Sequence, residues 1–358
     1  LDLRARVDGF LQQYNEVNPS KQMNLVLFDD ALRHVMRVSR VISMPKGSLL
    51  FVGVGGSGKQ SITKLASYCA KYSLFQITIS KTYNMNSLMD DLRVLYKNCG
   101  QNGTKTTFLF TEAEIKEEGF LEVINSLLTT GEIPNLFPKE ELMGMASELR
   151  PLAIKMIPDF QDTSDNLVKF FIDRVRSNLH MVLCMSPVSQ KFPERARKFP
   201  GIVAGCTIDW FLAWPEEALV AVSSGYIQNL TLDCTDEIKK EVIVHMGMAH
   251  KIVMDSCAEY FQKMRRHVYQ TPKSFLSFLN DYTTMYNAKC QEIVNKSSRV
   301  EIGLEKLASG AKDVERMKIV LAEEEVKLRY AEEATNVMLS KLEVSSMEAK
   351  KEADAVAI

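Results

Sequence analysis

Four short runs of apolar residues are separated by stretches long enough to hold helices. The runs cover residues 49–54, 74–79, 107–110 and 179–184. Continuous apolar runs of this length predict strands that are buried on both faces, and their alternation with helical segments predicts a parallel sheet. The pattern therefore indicates an α/β fold with a doubly wound parallel sheet.

Helical patterns surround these predicted strands. Residues 28–36 have the spacing of a capped amphipathic helix, and a helix-rich region without a further clear strand starts at Trp214-Pro215. Thr271 and Pro272 predict a helix start, with the threonine as cap and the proline in the first turn. Residues 131–165 contain four prolines, and we expect them to form an irregular insertion.

The last part of the chain, from about residue 290, carries apolar residues with a seven-residue period. One line of a coiled-coil seam consists of Leu307, Val314, Leu321, Leu328, Thr335, Leu342 and Ala349. The second line stays open between two sets. A three-residue step reaches Met317, Ala331 and Met338, and a four-residue step reaches Ala311, Leu339 and Ala353. We expect a helix that pairs with a partner outside this sequence, and a solvated single helix is the alternative.

Composition and charge exclude several classes of protein. No apolar stretch approaches the roughly 20 residues of a bilayer span, so we expect no membrane contact. Lysine plus arginine (44) nearly balances aspartate plus glutamate (45), which argues against a nucleic-acid partner. Seven cysteines without a CxxC pair predict reduced intracellular thiols rather than disulfides or a zinc site. The start at Leu1, without a signal peptide, indicates a fragment of a longer protein.

A glycine-rich segment, GVGGSGKQS, follows the first predicted strand and carries the clearest chemical signal. Between a strand and a helix, such a loop can curl its N–H groups around phosphate oxygens, and Lys59 would reach the β- and γ-phosphates. The residues expected around the phosphates are Gly53, Gly55, Gly56, Ser57, Gly58, Lys59, Gln60 and Ser61. The segment predicts an ATP or ADP site rather than a structural turn.

The residues that should hold Mg²⁺ and activate water depart from the usual pattern. Gln60 stands where a hydroxyl normally ligates the metal, and Ser61 lies one residue late. Thr111 replaces the usual aspartate at the end of the third strand. We therefore expect a weak Mg²⁺ site at Gln60, Ser61 and Thr111. Glu112 is the candidate water-activating carboxylate, and Glu114 is its alternative.

Three further residues are candidates for roles around the phosphates. Ser186, at the end of the fourth strand, either helps to position the attacking water or only caps the strand. Arg195 and Arg197 lie in a basic segment that suits charge stabilisation in a neighbouring site, and a solvated basic turn is the alternative. The five histidines lack partners at metal-ligand spacing, so we expect packing or surface roles for them.

Several long segments of the sequence are similar to one protein family. They are GVGGSGKQS, FLFTEAEIKEEGFLEVINSLLTTGEIPNLF, KFPERARKFPGIVAGCTIDWFLAWPEEAL, TPKSFLSFLNDY and the heptad tail. Together they resemble the fourth AAA+ module of dynein heavy chains over nearly the whole chain. The phrases ISKTYNMNSLMDDLRVLY and VLCMSPVSQKF are most similar to axonemal dyneins of the outer-arm type.

The resemblance implies a P-loop AAA+ fold in three parts. Residues 1–215 would form the large nucleotide-binding subdomain with lead-in helices, residues 216–285 the small helical subdomain, and residues 286–358 the outgoing stalk coiled-coil helix. The implied ligands are ATP or ADP and Mg²⁺. The implied partners are the neighbouring AAA+ modules, the returning stalk helix, a microtubule at the stalk tip and, for the whole complex, intermediate and light chains. The implied location is the cytoplasm and cytoskeleton, in the axoneme of a cilium or flagellum.

The resemblance also implies a function for the module. The family's first module is its main engine and the fourth is regulatory, which agrees with the departures at Gln60, Thr111 and Ser186. We expect a regulatory nucleotide-binding module of a microtubule motor that couples ring conformation to the stalk. One alternative is a structural ring spacer that keeps its nucleotide permanently and anchors the stalk. Another is a chromosome-organising ATPase, which needs an LSGG-type signature that this sequence lacks.

Residue roles carry over from the family by motif. Glu112 would be the hydrolytic glutamate, and Arg195 or Arg197 would complete a neighbour's site. Family members usually have an arginine where this sequence has Pro193, which leaves open which arginine acts. Lys273 is expected to be a surface lysine, and a phosphate-facing role is its alternative.

Overall fold

The computed structural model describes residues 2–188, 191–228 and 230–356. The chain divides into two compact units with the boundary between Asp281 and Tyr282. The first unit contains every described strand and all of the helices except most of the last one. Across the described ranges, no helix combines the length and the apolar character that a membrane crossing requires.

The first unit is built around a five-stranded parallel sheet with the strand order β2-β3-β4-β1-β5. The strands are β1 (Leu49–Gly53), β2 (Ser73–Phe75), β3 (Thr106–Thr111), β4 (Leu179–Met185) and β5 (Thr207–Phe211). Every residue of β1, β3 and β4 is buried, as their apolar sequences predict. Because the strands are parallel, the carboxyl ends of these three strands lie next to one another.

Thirteen α-helices precede, connect or follow the strands within the described residues. They are α1 (Leu3–Val17), α2 (Asp29–Ile42), α3 (Lys59–Cys69), α4 (Met85–Gly100), α5 (Glu118–Thr129), α6 (Lys139–Glu148), α7 (Arg150–Met156), α8 (Ser164–Asn178), α9 (Lys191–Lys198), α10 (Pro200–Ala204), α11 (Glu216–Gln228), α12 (Asp236–Met264) and α13 (Pro272–Val356). Short 3₁₀ turns cover Pro19–Lys21 and Glu112–Glu114.

Two apolar clusters cover the two faces of the sheet. Successive side chains of a strand point to opposite faces, so Leu50 and Val52 join the cluster under α4, α5 and α8. Phe51 joins the other cluster, where α1, α2 and α3 pack. The sheet is therefore enclosed on both sides, which confirms the predicted doubly wound α/β class.

The prediction of four buried strands is wrong at the two edges of the sheet. The run at residues 74–79 forms only the three-residue strand β2, which is largely exposed. The sequence prediction missed strand β5 because its burial pattern is the reverse of the usual one. Asp209 is buried, whereas the apolar Ile208 and Trp210 on the other face are exposed. An alternation of this kind does not produce a continuous apolar run.

The prediction of an irregular segment at residues 131–165 is also wrong. This segment contains α6 and α7, and α8 begins at Ser164. Pro138 occupies the position just before α6, and Pro151 lies in the first turn of α7. Proline is tolerated in the first turn because the N–H group that it lacks has no partner inside the helix.

Two predicted helix starts have different outcomes. Helix α2 is present and its apolar face is buried, but Phe28 at its N-cap makes no side-chain capping bond. Asp29 in its first turn binds Arg4 at 2.6 Å instead. The start of α13 is confirmed, because the Ser274 amide donates to Thr271 Oγ1 at 3.3 Å.

The second unit consists of the part of α13 that follows Asp281. The predicted long helix is confirmed, since α13 extends over 85 residues. The leucines of the seven-residue repeat are exposed, with 72% exposure at Leu307 and 62% at Leu328. The second line of the coiled-coil seam stays open between the two sets of residues. The side chain of Ala353, in the second set, lies outside the described residues.

A buried histidine in β4 leads to a prediction about pH. His180 is buried, and its Nδ1 lies 2.9 Å from the Gly47 carbonyl oxygen. Burial lowers the pKa of His180 below its ordinary value of 6.5, although the bond to Gly47 acts in the opposite direction. A folded-state pKa below the unfolded one means that this stabilising contribution is present above pH 6.5 and is lost as the pH falls further.

We therefore expect the protection of the β4 amides against hydrogen exchange to fall between about pH 7 and about pH 5.5. The measurement is amide exchange in the intact protein, with protection factors that correct for the intrinsic pH effect. In a His180→Gln variant the decrease should be smaller than in the wild type. An equal decrease in both proteins would contradict this role of His180.

Candidate nucleotide-binding site

The loop between β1 and α3 has the backbone that phosphate binding needs. Gly56 and Gly58 have φ angles of 77° and 89°, in a region that favours glycine. Gly58 is the N-cap of α3, and no side chain caps this helix end. The first N–H groups of α3 are therefore able to donate to an anion, which the helix dipole favours as well.

Lys59 lies folded over this loop. Its Nζ donates to the carbonyl oxygens of Gly53 and Val54, each at 2.7 Å, and to Ser57 Oγ at 3.2 Å. Burial lowers the pKa of Lys59, and Cys184 and Glu112 act in the opposite direction. A phosphate that enters the loop would replace these neutral oxygens by charged ones, which are stronger acceptors.

The residues predicted for Mg²⁺ line one cavity beside the loop. Gln60, Ser61 and Thr111 contribute to its wall, together with the candidate water-activating Glu112. Among the residues that the structure describes, no group of three or more His, Cys, Asp or Glu side chains could hold a metal ion. These four residues supply hydroxyl and amide oxygens with one carboxylate. They fit a Mg²⁺ ion that is held mainly by nucleotide phosphates.

The two candidate carboxylates after β3 have different surroundings. Glu114 is buried, and it accepts hydrogen bonds from the Thr111 amide at 2.7 Å and from Gln76 Nε2 at 2.8 Å. Burial raises the pKa of Glu114, and these two bonds act in the opposite direction. Glu114 therefore holds the end of β3 in place, whereas Glu112 faces the cavity.

The carboxylate of Glu112 has a hydrogen-bond donor at each oxygen. Oε2 accepts from the backbone N–H of Ser186 at 3.2 Å, and Oε1 accepts from Arg195 Nη1 at 3.4 Å. Ser186 thus contacts Glu112 through its backbone, while its hydroxyl accepts from the Val188 amide at 3.4 Å. The hydroxyl of Ser186 acts as a cap at the end of β4.

The two arginines of α9 lie in different environments. Arg195 is only 9% exposed, and it donates to Glu118 Oε1 from Nη2 at 2.9 Å and from Nε at 3.1 Å. Its guanidinium therefore faces carboxylates of this chain. The predicted role in a neighbouring site does not account for this placement. Arg197 is exposed, and its Nε donates to the Pro193 carbonyl at 3.3 Å.

The cavity beside the phosphate loop has a volume of about 660 Å³, which is within the range of small-molecule sites. Its far wall is apolar and includes Phe28 and Trp214, whose ring centroids are 5.4 Å apart. Tyr226 and Leu276 also line it. Sequence reasoning missed this wall, although aromatic residues next to the predicted helix starts at residues 28 and 214 were a usable signal. The wall suits the flat face of a nucleobase.

A polar cluster around the buried Asp209 was not predicted, and its members His34 and Arg37 line the cavity. The side chain of Asp209 is 1% exposed; its carboxylate lies 2.7 Å from His34 Nδ1 and accepts from Arg37 Nη1 at 2.5 Å. His34 stacks on Phe211 with a centroid distance of 4.0 Å. The cluster joins α2 to the edge strand β5 over a separation of 175 residues, which no local pattern reveals.

Two further residues bring other parts of the chain to the loop. A Cβ atom on Gly56 would lie 2.4 Å from the Cβ of Lys273, so the first turn of α13 packs directly on the loop. Lys273 lines the cavity, as does Cys184 at the end of β4. Burial raises the pKa of the Cys184 thiol to about 12, with Lys59 acting in the opposite direction.

The phosphate site combines a glycine-rich loop after the interior strand β1, a helix that begins at Lys59 and a carboxylate that follows β3, two strands away from β1 in the sheet. These features define a P-loop nucleotide-binding domain of the α/β class. Residues 23–285 match the family described as the P-loop containing dynein motor region D4. The chain therefore belongs to this family of dynein motor regions, which confirms the resemblance found in its sequence.

Several dynein heavy chains align with nearly the whole chain. It is 47% identical over 98% of its length to dynein axonemal heavy chain 5 of Mus musculus. It is 43% identical over 98% of its length to dynein axonemal heavy chain 8 of Homo sapiens. It is 42% identical over its full length to the dynein gamma chain, flagellar outer arm, of Chlamydomonas reinhardtii. Each alignment covers 8% of the relative, so the chain spans less than a tenth of these proteins.

Proposed function

We propose that this chain is the fourth nucleotide-binding AAA+ module of an axonemal dynein heavy chain, and that it regulates the motor rather than supplying its main ATPase activity. The names of the similar heavy chains support an axonemal motor in the cytoskeleton of a cilium or flagellum. Its ligands are ATP and ADP, with Mg²⁺ held mainly through the phosphates. Residues 1–215, 216–285 and 286–358 act as large subdomain, small subdomain and outgoing stalk helix.

The contact between Gly56 and Lys273 carries this proposal. Gly56 belongs to the phosphate loop, and Lys273 belongs to the first turn of α13. Since there is no room for even one carbon atom between them, a nucleotide that shifts the loop also displaces this turn. Nucleotide state at the loop is thereby linked to the helix that continues as the stalk.

A regulatory role rather than a main catalytic one is supported by the site's polar groups. Thr111 supplies a hydroxyl where a metal-binding carboxylate is usual. Both oxygens of Glu112 have donors within this chain. The phosphate-binding loop retains its full set of glycines and its lysine. The site is thus better equipped to bind nucleotide than to hydrolyse it rapidly.

The partners that follow from this function are proposals for the whole motor. The neighbouring AAA+ modules of the same heavy chain would close the site from outside, and Arg197 is the exposed arginine available to a neighbour. The exposed leucines of α13 would pair with the returning stalk helix. The stalk tip would bind the microtubule, and intermediate and light chains would join at the level of the whole complex.

A structural spacer with a permanently bound nucleotide is the second candidate function. The engaged carboxylate of Glu112 favours it, because a site that hydrolyses very slowly can retain its ATP. The two functions differ in nucleotide exchange. A spacer should show no exchange over one working cycle of the motor, whereas a regulatory module should exchange its nucleotide and change the motor's microtubule affinity when it does.

A substitution at Gly56 tests the regulatory function. In the full-length heavy chain, Gly56→Ala would place a methyl group against Lys273 at a positive φ. We expect the variant to reduce the difference in microtubule affinity between saturating ATP and saturating ADP by at least about fivefold. The measurements are microtubule co-sedimentation and the dissociation rate of a fluorescent nucleotide.

Gly144→Ala is the matched control, because a Cβ there meets nothing within 4 Å and the residue lies within α6. The control should behave like the wild type in both measurements. If Gly56→Ala also behaves like the wild type, the loop is not coupled to the stalk. If the microtubule affinity of the wild type does not differ between ATP and ADP, and the wild type does not exchange its nucleotide, the structural spacer is favoured.

A further inference from the structure

The guanidinium of Arg195 connects two carboxylates beside the phosphate loop. It makes two short bonds to Glu118, at 2.9 and 3.1 Å, and a longer one to Glu112, at 3.4 Å. Glu118 lies in the first turn of α5, and Arg195 is buried between this turn and the end of β3. An arginine that is so nearly buried must be neutralised, and these two carboxylates do this.

The chemistry of hydrolysis shows what this contact does to Glu112. The water oxygen bonds to the γ-phosphorus, the bond to the bridging oxygen breaks, and its electron pair leaves with ADP. The proton of the water passes to a carboxylate oxygen and then to solvent. That oxygen must point a lone pair at the water, and because each carboxylate oxygen has two lone pairs, the orientation of the group decides whether it can do so. In this structure one oxygen of Glu112 faces the Ser186 amide and the other faces the Arg195 guanidinium.

We propose that Arg195 is a positioning residue of its own site, which holds Glu112 turned away from the attacking water and so keeps hydrolysis slow. This inference rests on the proposed function, in which the site binds ATP and uses Glu112 as the water-activating carboxylate. It assigns Arg195 to this chain's site rather than to that of a neighbour.

Glu118 makes this restraint reversible. The bonds from Arg195 to Glu118 are shorter than the bond to Glu112, so the guanidinium remains paired when Glu112 turns away. Releasing Glu112 therefore breaks only the longest of the three contacts and leaves no buried charge alone. A change at the nucleotide is then sufficient to free the Glu112 carboxylate, because only two hydrogen bonds have to break. They are the long bond from Arg195 to Oε1 and the bond from the Ser186 backbone N–H to Oε2.

The test is ATP turnover by the full-length heavy chain in which the P-loop lysines of the other modules are replaced. Turnover then reports this site, while the neighbouring modules stay in place. Arg195→Met is expected to raise kcat about tenfold, because the freed carboxylate becomes available as a general base. The KM for ATP and the Kd for a fluorescent ADP should stay within about twofold of the wild-type values, since neither contact involves the phosphate loop.

Two further variants separate restraint from a structural role. Arg195→Lys keeps a cation and should return kcat to within about threefold of the wild type. Lys198→Met is the matched control on the same helix, because Lys198 is exposed and its Nζ lies 5.2 Å from the centroid of the Phe199 ring. It should leave kcat and Kd unchanged.

A kcat for Arg195→Met at or below the wild-type value, with nucleotide binding intact, would overturn the proposal. If Arg195→Met no longer binds nucleotide, Arg195→Gln decides, because glutamine keeps polar N–H groups without the charge. The same rise in kcat is expected, and turnover no faster than the wild type would reject Arg195 as a restraint. Failure of the proposed function would be seen in a different measurement, because the microtubule affinity would then be independent of the nucleotide at this site.

Discussion

Lys59→Ala is expected to weaken the binding of both ATP and ADP at this site by at least about 100-fold. The amine is positioned at the mouth of the phosphate loop by Gly53 and Val54. Each charge-assisted bond from the amine to phosphate contributes roughly 1.5–3 kcal/mol, so bonds to two phosphates exceed the about 2.7 kcal/mol that corresponds to a factor of 100 in Kd. The measurement is equilibrium binding of fluorescent ATP and ADP to the full-length heavy chain whose other P-loop lysines are replaced.

Lys46→Ala is the control for this experiment. Lys46 is an exposed lysine that pairs with Asp173 at 2.9 Å and does not line the cavity. Its removal should leave nucleotide affinity unchanged, because exposed ion pairs contribute little and the phosphate loop is not involved. Wild-type affinity in the Lys59→Ala protein would show that the loop does not bind phosphate in the way proposed here.

Phe51→Ala is expected to lower the free energy of unfolding of the first unit by about 3–5 kcal/mol. Phe51 is 0% exposed, lies in the interior strand β1 that leads into the phosphate loop, and contacts Phe211 with a centroid distance of 4.8 Å. Its loss leaves a cavity between the sheet and the helices α2 and α3. Amide exchange of β1 and β4 in the intact heavy chain reports the change.

Phe278→Ala offers the matched control, since Phe278 is 39% exposed in the first part of α13. The same truncation there removes less buried surface and should cost less than about 1.5 kcal/mol. Equal losses of amide protection in the two variants would show that burial in the sheet does not determine stability at β1.

The central strands could be predicted from the sequence, and the edges of the sheet could not. Strands β1, β3 and β4 are continuous apolar runs because they are buried on both faces. At the edge, Asp209 is buried only because His34 and Arg37 approach it from a distant helix. Burial that depends on such long-range partners leaves no signature in a local window of sequence.

The same distinction applies to the candidate site. The glycines and Lys59 form one local pattern, and the structure places them around the N-terminus of α3 as such a loop requires. The sequence favoured Glu112 over Glu114, but it did not show their different surroundings, because both residues follow the same strand and only their packing differs. The position of Arg195 beside Glu112 depends on how α9 packs against α5, which the basic composition of α9 does not specify.

The thiol of Cys184 has a consequence for the chemical durability of the site. This sulfur lies at the cavity wall and is buried, and its pKa of about 12 keeps it protonated at neutral pH. Oxidants and alkylating agents react with thiolates, so the protonated sulfur is a poor target while β4 remains paired. The wall of the phosphate-loop cavity thus carries a sulfur that resists oxidative damage.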